Sequence, residues 1–302
     1  MIKTGISYSQ DITPALLRML LRHPDVEIRW IAGPQLPQDG IAGLYDELKG
    51  ETEPIAAVPD FEHIDLYIGG DRPELASLLD RNEGLKVIFP QSGLRPTGYG
   101  DMAVPGVAEY NRKALVRGAR MAWQPDAVTM LGALALMPLA KNLLLNSTIA
   151  GTMILPADLH GSRGGMRVAD MPLPSKTFDS LTADILQQLQ TSFIPAFEIS
   201  AIENGNSTFA CALLAVDCRM SIDDITALYR DFYDDHRHIY ISPDPVSEPM
   251  VAGTNKTAIH LRHDSGSRLW ISVAFDAAYK TGAGNMIHLL NLLFGLDERT
   301  AF

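Results

Sequence analysis

Residues 105–139 read PGVAEYNRKALVRGARMAWQPDAVTMLGALALMPL. Glu109 to Ala114 has the polar make-up of a helix opening, and Ala119 to Trp123 reads as a strand. Gln124-Pro125-Asp126 makes a tight polar turn, and the apolar run from about Val128 to Leu145 reads as a long helix. A strand, a sharp turn and a helix in this order form a joint where α/β enzymes commonly set a nucleophile. Unpaired N–H groups at the start of the helix favour an anion there.

Working outward from this joint, the N-terminal side repeats the same grammar. Lys3 to Tyr8 is a short strand, Pro14 to His23 a helix with Leu16, Leu17, Leu20 and Leu21 on one side, and Val26 to Ala32 a second strand. Thr13 suits the N-cap and Pro14 the first helical position. Such a βαβ unit closes right-handed and parallel. Leu66 to Gly69, Pro73 to Leu79 and Leu85 to Phe89 supply another strand, helix and strand. The expected fold class is therefore α/β, with a Rossmann-type doubly wound parallel sheet over 1–147, completed by a C-terminal segment, 281–302.

On the other side the texture changes. Met153 to Leu155 reads as a strand, Thr182 to Gln190 as a helix and Phe209 to Cys218 as a strand with one covered face. Ser221 caps a helix running to Tyr233, with Asp223 and Asp224 in its first turn. Strands are expected at Ile239 to Ile241, Ala258 to Arg262 and Leu269 to Phe275, and an amphipathic helix at Gly284 to Phe294. Residues 148–280 thus read as an α+β domain with a mainly antiparallel sheet, serving substrate binding or oligomerisation.

The chain has 302 residues, enough for two cores, and a formal net charge of −11. That balance argues against nucleic acid as a partner, whose usual footprint is a basic face. The opening MIKTGISYSQDI lacks the apolar core of a signal peptide. The longest apolar run, Ala127 to Ala140, is too short to span a bilayer and ends in Lys141. Two cysteines do not make a disulfide framework. A cytoplasmic protein without a membrane partner is the expectation.

Three segments of the opening stretch carry a resemblance. Gly106-Val107-Ala108-Glu109-Tyr110-Asn111-Arg112, Gln124-Pro125-Asp126-Ala127-Val128-Thr129-Met130 and Leu134-Ala135-Leu136-Met137-Pro138-Leu139 resemble the active-site segment of N-acetyl-gamma-glutamyl-phosphate reductases, of the semialdehyde dehydrogenase superfamily. The likeness extends to both ends. It runs through Gly5-Ile6, Ala15, Leu17, Leu20-Leu21, His23-Pro24 and Val26-Glu27 at the start. It returns in Lys280, Ala283-Gly284, Asn291-Leu292, Phe294 and Gly295-Leu296-Asp297-Glu298 at the end. Phe193, Pro195, Gly253 and Asn255 match between them. The resemblance implies reduction of an acyl phosphate with NADP, a last helix that returns to the first domain, and a homo-oligomer formed through the second domain's sheet.

Three devices of such chemistry do not match. Counted back from Pro138, the resembled family's nucleophilic cysteine falls on Ala127, and alanine has no lone pair with which to form a thioester. Cys211 and Cys218 fall in the second domain on a predicted strand and read as structural thiols. The family's glycine-loop positions hold Tyr8, Asp11 and Pro14, so the tight, bare turn that admits a pyrophosphate is lost. No histidine stands near Leu186 to Thr191, where the family has its acid–base residue. His236-Arg237-His238 lies later, alternating on a predicted strand, and with His260 and His263 distant no metal site is expected. The loop around His160, Gly161, Ser162, Arg163 and Arg167 resembles the family's substrate loop. With Arg112 these are the candidate ligands of a small anionic metabolite, the alternative being a solvated surface loop.

The sequence thus points to a non-catalytic or strongly diverged paralogue, a small-anion-binding or assembly subunit with no cofactor. The alternative is an active NADP-dependent reductase of arginine biosynthesis with unconventional catalytic residues.

Overall fold

The computed structural model describes residues 1–34, 36, 43, 45–50, 56–91, 93–146, 148–156, 166–168, 181–264 and 267–302, with the side chains of all but 47, 101 and 166–168. The chain divides into two compact units, residues 1–125 with 282–302, and residues 126–281.

The first unit runs β1 (Ile2–Ser7), α1 (Pro14–Arg22), β2 (Val26–Ala32), β3 (Leu66–Ile68), α2 (Leu75–Arg81), β4 (Lys86–Phe89), β5 (Ala103–Pro105), α3 (Ala108–Arg117) and β6 (Met121–Trp123). The second runs α4 (Ala127–Lys141), β7 (Ile149–Pro156), β8 (Met166–Val168), α5 (Leu181–Leu189), β9 (Phe197–Asn204), β10 (Phe209–Asp217), α6 (Ile222–Phe232), β11 (Ile239–Ile241), β12 (Thr257–His263), β13 (Arg268–Asp276) and α7 (Ala277–Lys280). A last helix, α8 (Ala283–Phe294), returns to the first unit.

The first sheet has the order β2-β1-β3-β4-β6-β5, and all its pairs are parallel. Thr13 caps α1 by accepting from the Leu16 N–H at 3.3 Å, and Pro14 opens the helix as the sequence leads one to expect. The strand register shifts at Thr4/Gly5. A Cβ on Gly5 would stand 2.3 Å from the Trp30 ring, so the close approach of strand to indole requires glycine there. Trp30 packs edge-on to Phe61 and beside Tyr67.

Helix α8 differs from the expected amphipathic helix, because its apolar and polar residues alike are buried. Asn285, His288 and Asn291 follow one another at a spacing of three, so they form a stripe on the helix, and each ties down a different segment. Asn285 donates to Gly106 O (3.0 Å) and Gln124 Oε1 (2.6 Å). His288 Nε2 donates to Glu298 Oε2 at 2.8 Å. Asn291 donates to Thr300 O at 3.0 Å and accepts from His23 Nε2 at 2.9 Å. Buried polar groups are tolerable when bonded in this way.

The second sheet is mixed, in the order β11-β12-β13-β10-β7-β9-β8. Its pairs β7·β9 and β11·β12 are parallel and the other four antiparallel, so it is mainly antiparallel, as the sequence reads. The strand β9 escapes the sequence reading. Helix α4 is buried from Val128 to Ala140 and packs on α5, α6, β7, β10 and β13. Those neighbours place it in the second unit, so the two units meet in sequence at 125/126, while the sequence reading draws its boundary after 147.

Pro138 lies inside α4. Proline has no N–H, so the Leu134 carbonyl four residues back loses its helical donor. The buried Tyr233 hydroxyl supplies one at 2.6 Å, and Tyr229, one helical turn earlier on α6, donates to Ala135 O. His236, Arg237 and His238 occupy a turn before β11, and do not alternate on a strand. Among the described residues no helix is long and apolar enough to cross a membrane.

Candidate functional site

In the first unit the carboxyl ends of the strands gather the polar residues. The order of the sheet reverses between β1 and β3, the topological switch point at which open α/β sheets bind ligands. Ser7 ends β1, and its Oγ accepts from Tyr67 Oη at 2.9 Å and from Arg72 Nη1 at 3.4 Å. The Tyr67 hydroxyl also reaches Gly70 O at 3.2 Å, and burial raises its pKa. Tyr99 Oη donates to Asp71 Oδ1 at 2.6 Å. Burial first, then that hydrogen bond to a carboxylate, raise the Tyr99 pKa.

The turn from β1 to α1 holds Tyr8, Asp11 and Pro14. Pro14 has no N–H, the Leu16 N–H is held by Thr13 Oγ1 and the Leu17 N–H by Thr13 O. At most the Ala15 N–H of this first turn is left for a ligand. The Tyr8 hydroxyl lies 3.1 Å from that of Tyr45, which donates in turn to Ile12 O at 3.0 Å. Asp11 accepts from Ser9 Oγ at 3.2 Å.

Further along the sheet, Gln124 is fully buried after β6. Its side chain donates to Gly282 O at 2.9 Å and accepts from Asn285. Asn285 Oδ1 and Trp123 Nε1 are buried atoms with no hydrogen-bond partner among the described residues. Arg112, a sequence candidate for substrate, spends its Nη2 and Nε on Glu298 Oε1 at 2.5 and 2.7 Å. His288 and Arg112 together hold the Glu298 carboxyl down at about 2, the hydrogen bond from His288 being the largest cause.

In the second unit Ala127 is the first residue of α4. The cap is Asp126, whose carboxylate accepts from the Thr129 N–H at 2.7 Å. Position 127 therefore stands at a helix N-terminus, half-buried. Cys211 lies half-buried on β10 with its pKa raised by burial, and Cys218 is buried just past the end of that strand. Among the described residues no group of three His, Cys, Asp or Glu could hold a metal. His160, Gly161, Ser162 and Arg163 lie outside the described residues. Arg167 is on β8, opposite Glu203, and its side chain is likewise outside them.

No family model matches the chain. Curated relatives do. An N-acetyl-gamma-glutamyl-phosphate reductase of Parabacteroides distasonis is 29% identical, over 99% of this chain and 97% of the relative. Those of Phocaeicola vulgatus and Bacteroides thetaiotaomicron are each 27% identical, over the same shares. The chain is thus similar over 99% of its residues to N-acetyl-gamma-glutamyl-phosphate reductases. The fold is that of semialdehyde dehydrogenases. Aspartate semialdehyde dehydrogenase II of Vibrio cholerae superposes with a TM-score of 0.64 at 13% identity, over 98% of this chain and 99% of that one. A probable aspartate-semialdehyde dehydrogenase of Pseudomonas aeruginosa gives 0.65 at 14% identity, over 97% and 98%.

Beside the reductase-like segments, Ser7, Arg72, Gln124, Asn285 and Glu298 escape the sequence reading as members of polar networks. The spacing of Asn285, His288 and Asn291 in an otherwise apolar helix was the available signal for the last of these networks. Arg72 sits in a loop without periodicity and gave none.

Proposed function

We propose that the chain is a non-catalytic relative of N-acetyl-gamma-glutamyl-phosphate reductases, retained to bind a small anion or to assemble with further copies. The observation that carries this is Ala127 at the start of α4. The position at which a thiolate would gain most from the helix N-terminus holds a side chain without a nucleophilic atom. The first turn of α1 supports the same reading. All its donors but the Ala15 N–H are absent or already bonded, and the Tyr8–Tyr45 pair lies across the turn, so a pyrophosphate finds a poor cradle there. No reaction step is therefore routed through a dinucleotide.

A second reading, an active NADP-dependent reductase with unconventional residues, is favoured by one observation. Asn285 Oδ1 and Trp123 Nε1 are a buried acceptor and a buried donor without a hydrogen-bond partner among the described residues, and such unpaired polar atoms point to a missing guest.

Assay of the purified protein with N-acetyl-gamma-glutamyl phosphate and NADPH separates the two. The expected result is no turnover above the rate without protein, and no calorimetric binding of NADPH at micromolar concentration. Ala127→Cys alone should leave turnover absent, because the hydride donor still lacks a site. Turnover by the wild type, or its return in Ala127→Cys, would overturn the reading.

Assembly is proposed through the second unit's sheet. Thr152, Leu213, Ser272 and His260 lie side by side across β7, β10, β13 and β12 and are not fully buried. Leu213 is 44% exposed at the edge of a cavity of ≈ 370 Å³ shared with Trp270 and Arg262. A second copy would cover this face. Light scattering is expected to give a dimer or larger at micromolar concentration, and Leu213→Arg to shift it toward monomer. A wild-type protein that scatters as a monomer would contradict this.

A further inference from the structure

We infer that the switch point between the ends of β1 and β3 is a binding site for a small oxyanion, a phosphate or a carboxylate, held by Arg72 and Ser7. The inference rests on the anion-binding half of the proposed function and gives that half a place.

The guanidinium of Arg72 is fixed before any ligand arrives. It lies over the Phe61 ring, 5.3 Å from its centroid, and Nη1 reaches Ser7 Oγ at 3.4 Å. A planar cation stacked and bonded in this way keeps its remaining N–H groups in one orientation, which suits a bidentate oxyanion. Glu74 forms a solvent-exposed ion pair with it, 3.6 Å from Nε and longer than a hydrogen bond, which an anion would have to displace or share. Asp71, its neighbour in the chain, receives the Tyr99 hydroxyl.

The surroundings also limit the size of the guest. A dinucleotide at this crevice needs the first turn of α1 for its pyrophosphate, and that turn is capped by Thr13 and begins with Pro14. A single phosphate or carboxylate needs only the cation and a hydroxyl. Ser7, already touched by Tyr67 and Arg72, is held in position to contribute.

The test is titration of the full chain with inorganic phosphate and, separately, with succinate, read by calorimetry and by ³¹P line width for the phosphate arm. Saturable binding is expected in at least one arm, and the arm that binds identifies the anion. Arg72→Gln should weaken it by roughly tenfold or more. Arg72→Lys should recover part of the loss, and Ser7→Ala should weaken binding by a smaller factor. Arg268→Gln, at an exposed arginine of the other unit paired with Asp217, should bind as the wild type does. Thermal melts of each variant show that the fold is kept. Absence of saturable binding in both arms, wild-type affinity in Arg72→Gln, or loss in Arg268→Gln would overturn the inference. So would competition of NADPH with phosphate at micromolar concentration, since the site would then admit a dinucleotide. Reductase turnover by the same preparation would sink the non-catalytic reading, and leaves the phosphate and succinate titrations to decide this site.

Discussion

Replacing Glu298 with alanine is expected to destabilise the first unit by about 3 kcal/mol, the lower end for a broken buried ion pair. The carboxylate is 8% exposed and takes His288 on one oxygen and Arg112 on the other. Removal leaves the His288 ring, 2% exposed, facing a cavity. Arg112, with about half its side chain in solvent, loses less, which keeps the figure low. The same pair makes stability depend on acid. The folded-state pKa of Glu298 is about 2, below the ordinary value of 4.5. A depressed carboxylate stabilises the fold above its unfolded pKa, and the contribution fades as pH falls from about 4.5 toward 2. Discounted for the exposed partner, it amounts to ~2 kcal/mol at neutral pH. Denaturant unfolding followed by Trp30 and Trp123, in a Trp270→Phe background, reports on this unit alone. Glu298→Gln should lower stability at pH 7 and approach the parent near pH 2. An acid slope between pH 5 and 2 that is the same in both proteins would show that the pair contributes nothing.

Tyr233→Phe is expected to cost about 1–3 kcal/mol in the second unit, the range for a buried polar atom left without its partner. The lost atom is one hydroxyl, and its ring contacts with Phe232 and His236 remain. What makes it costly is Pro138, which leaves the Leu134 carbonyl no donor within the helix. A cycle with Pro138→Ala isolates the cause. The alanine restores an N–H, so Tyr233→Phe in that background should cost less than in the wild type. Unfolding is read here from Trp270. Equal costs in the two backgrounds would show that the tyrosine acts through packing alone.

The sequence revealed those parts of the molecule that are set by neighbouring residues. Thr13-Pro14 and Ser221 announced the starts of α1 and α6 because capping is a contact over three positions. The joint at Gln124-Pro125-Asp126 was visible for the same reason. What escaped was set by partners far along the chain. The pairing of β9 with β7 is what makes Phe197–Asn204 a strand. Three-residue β5 is too short to show a period. The carbonyl freed by Pro138 finds its donor ninety-nine positions later, in Tyr233. Arg112 reads as a free cation in a motif, and only the returning C-terminal segment shows that Glu298, 186 residues away, has claimed it.

That return has a consequence for how the protein comes into being. The second unit is one unbroken length of chain, residues 126–281, while the first needs α8 from the far end. During synthesis the ribosome delivers the strands of the first sheet early and the helix that buries Leu115, Ala122 and Leu17 last. Residues 1–125 therefore wait, with an apolar trough open, until residues 126–281 and α8 have been made. The order of completion is the reverse of the order of translation, and the newborn chain is most exposed to misassociation at the surface that α8 finally seals.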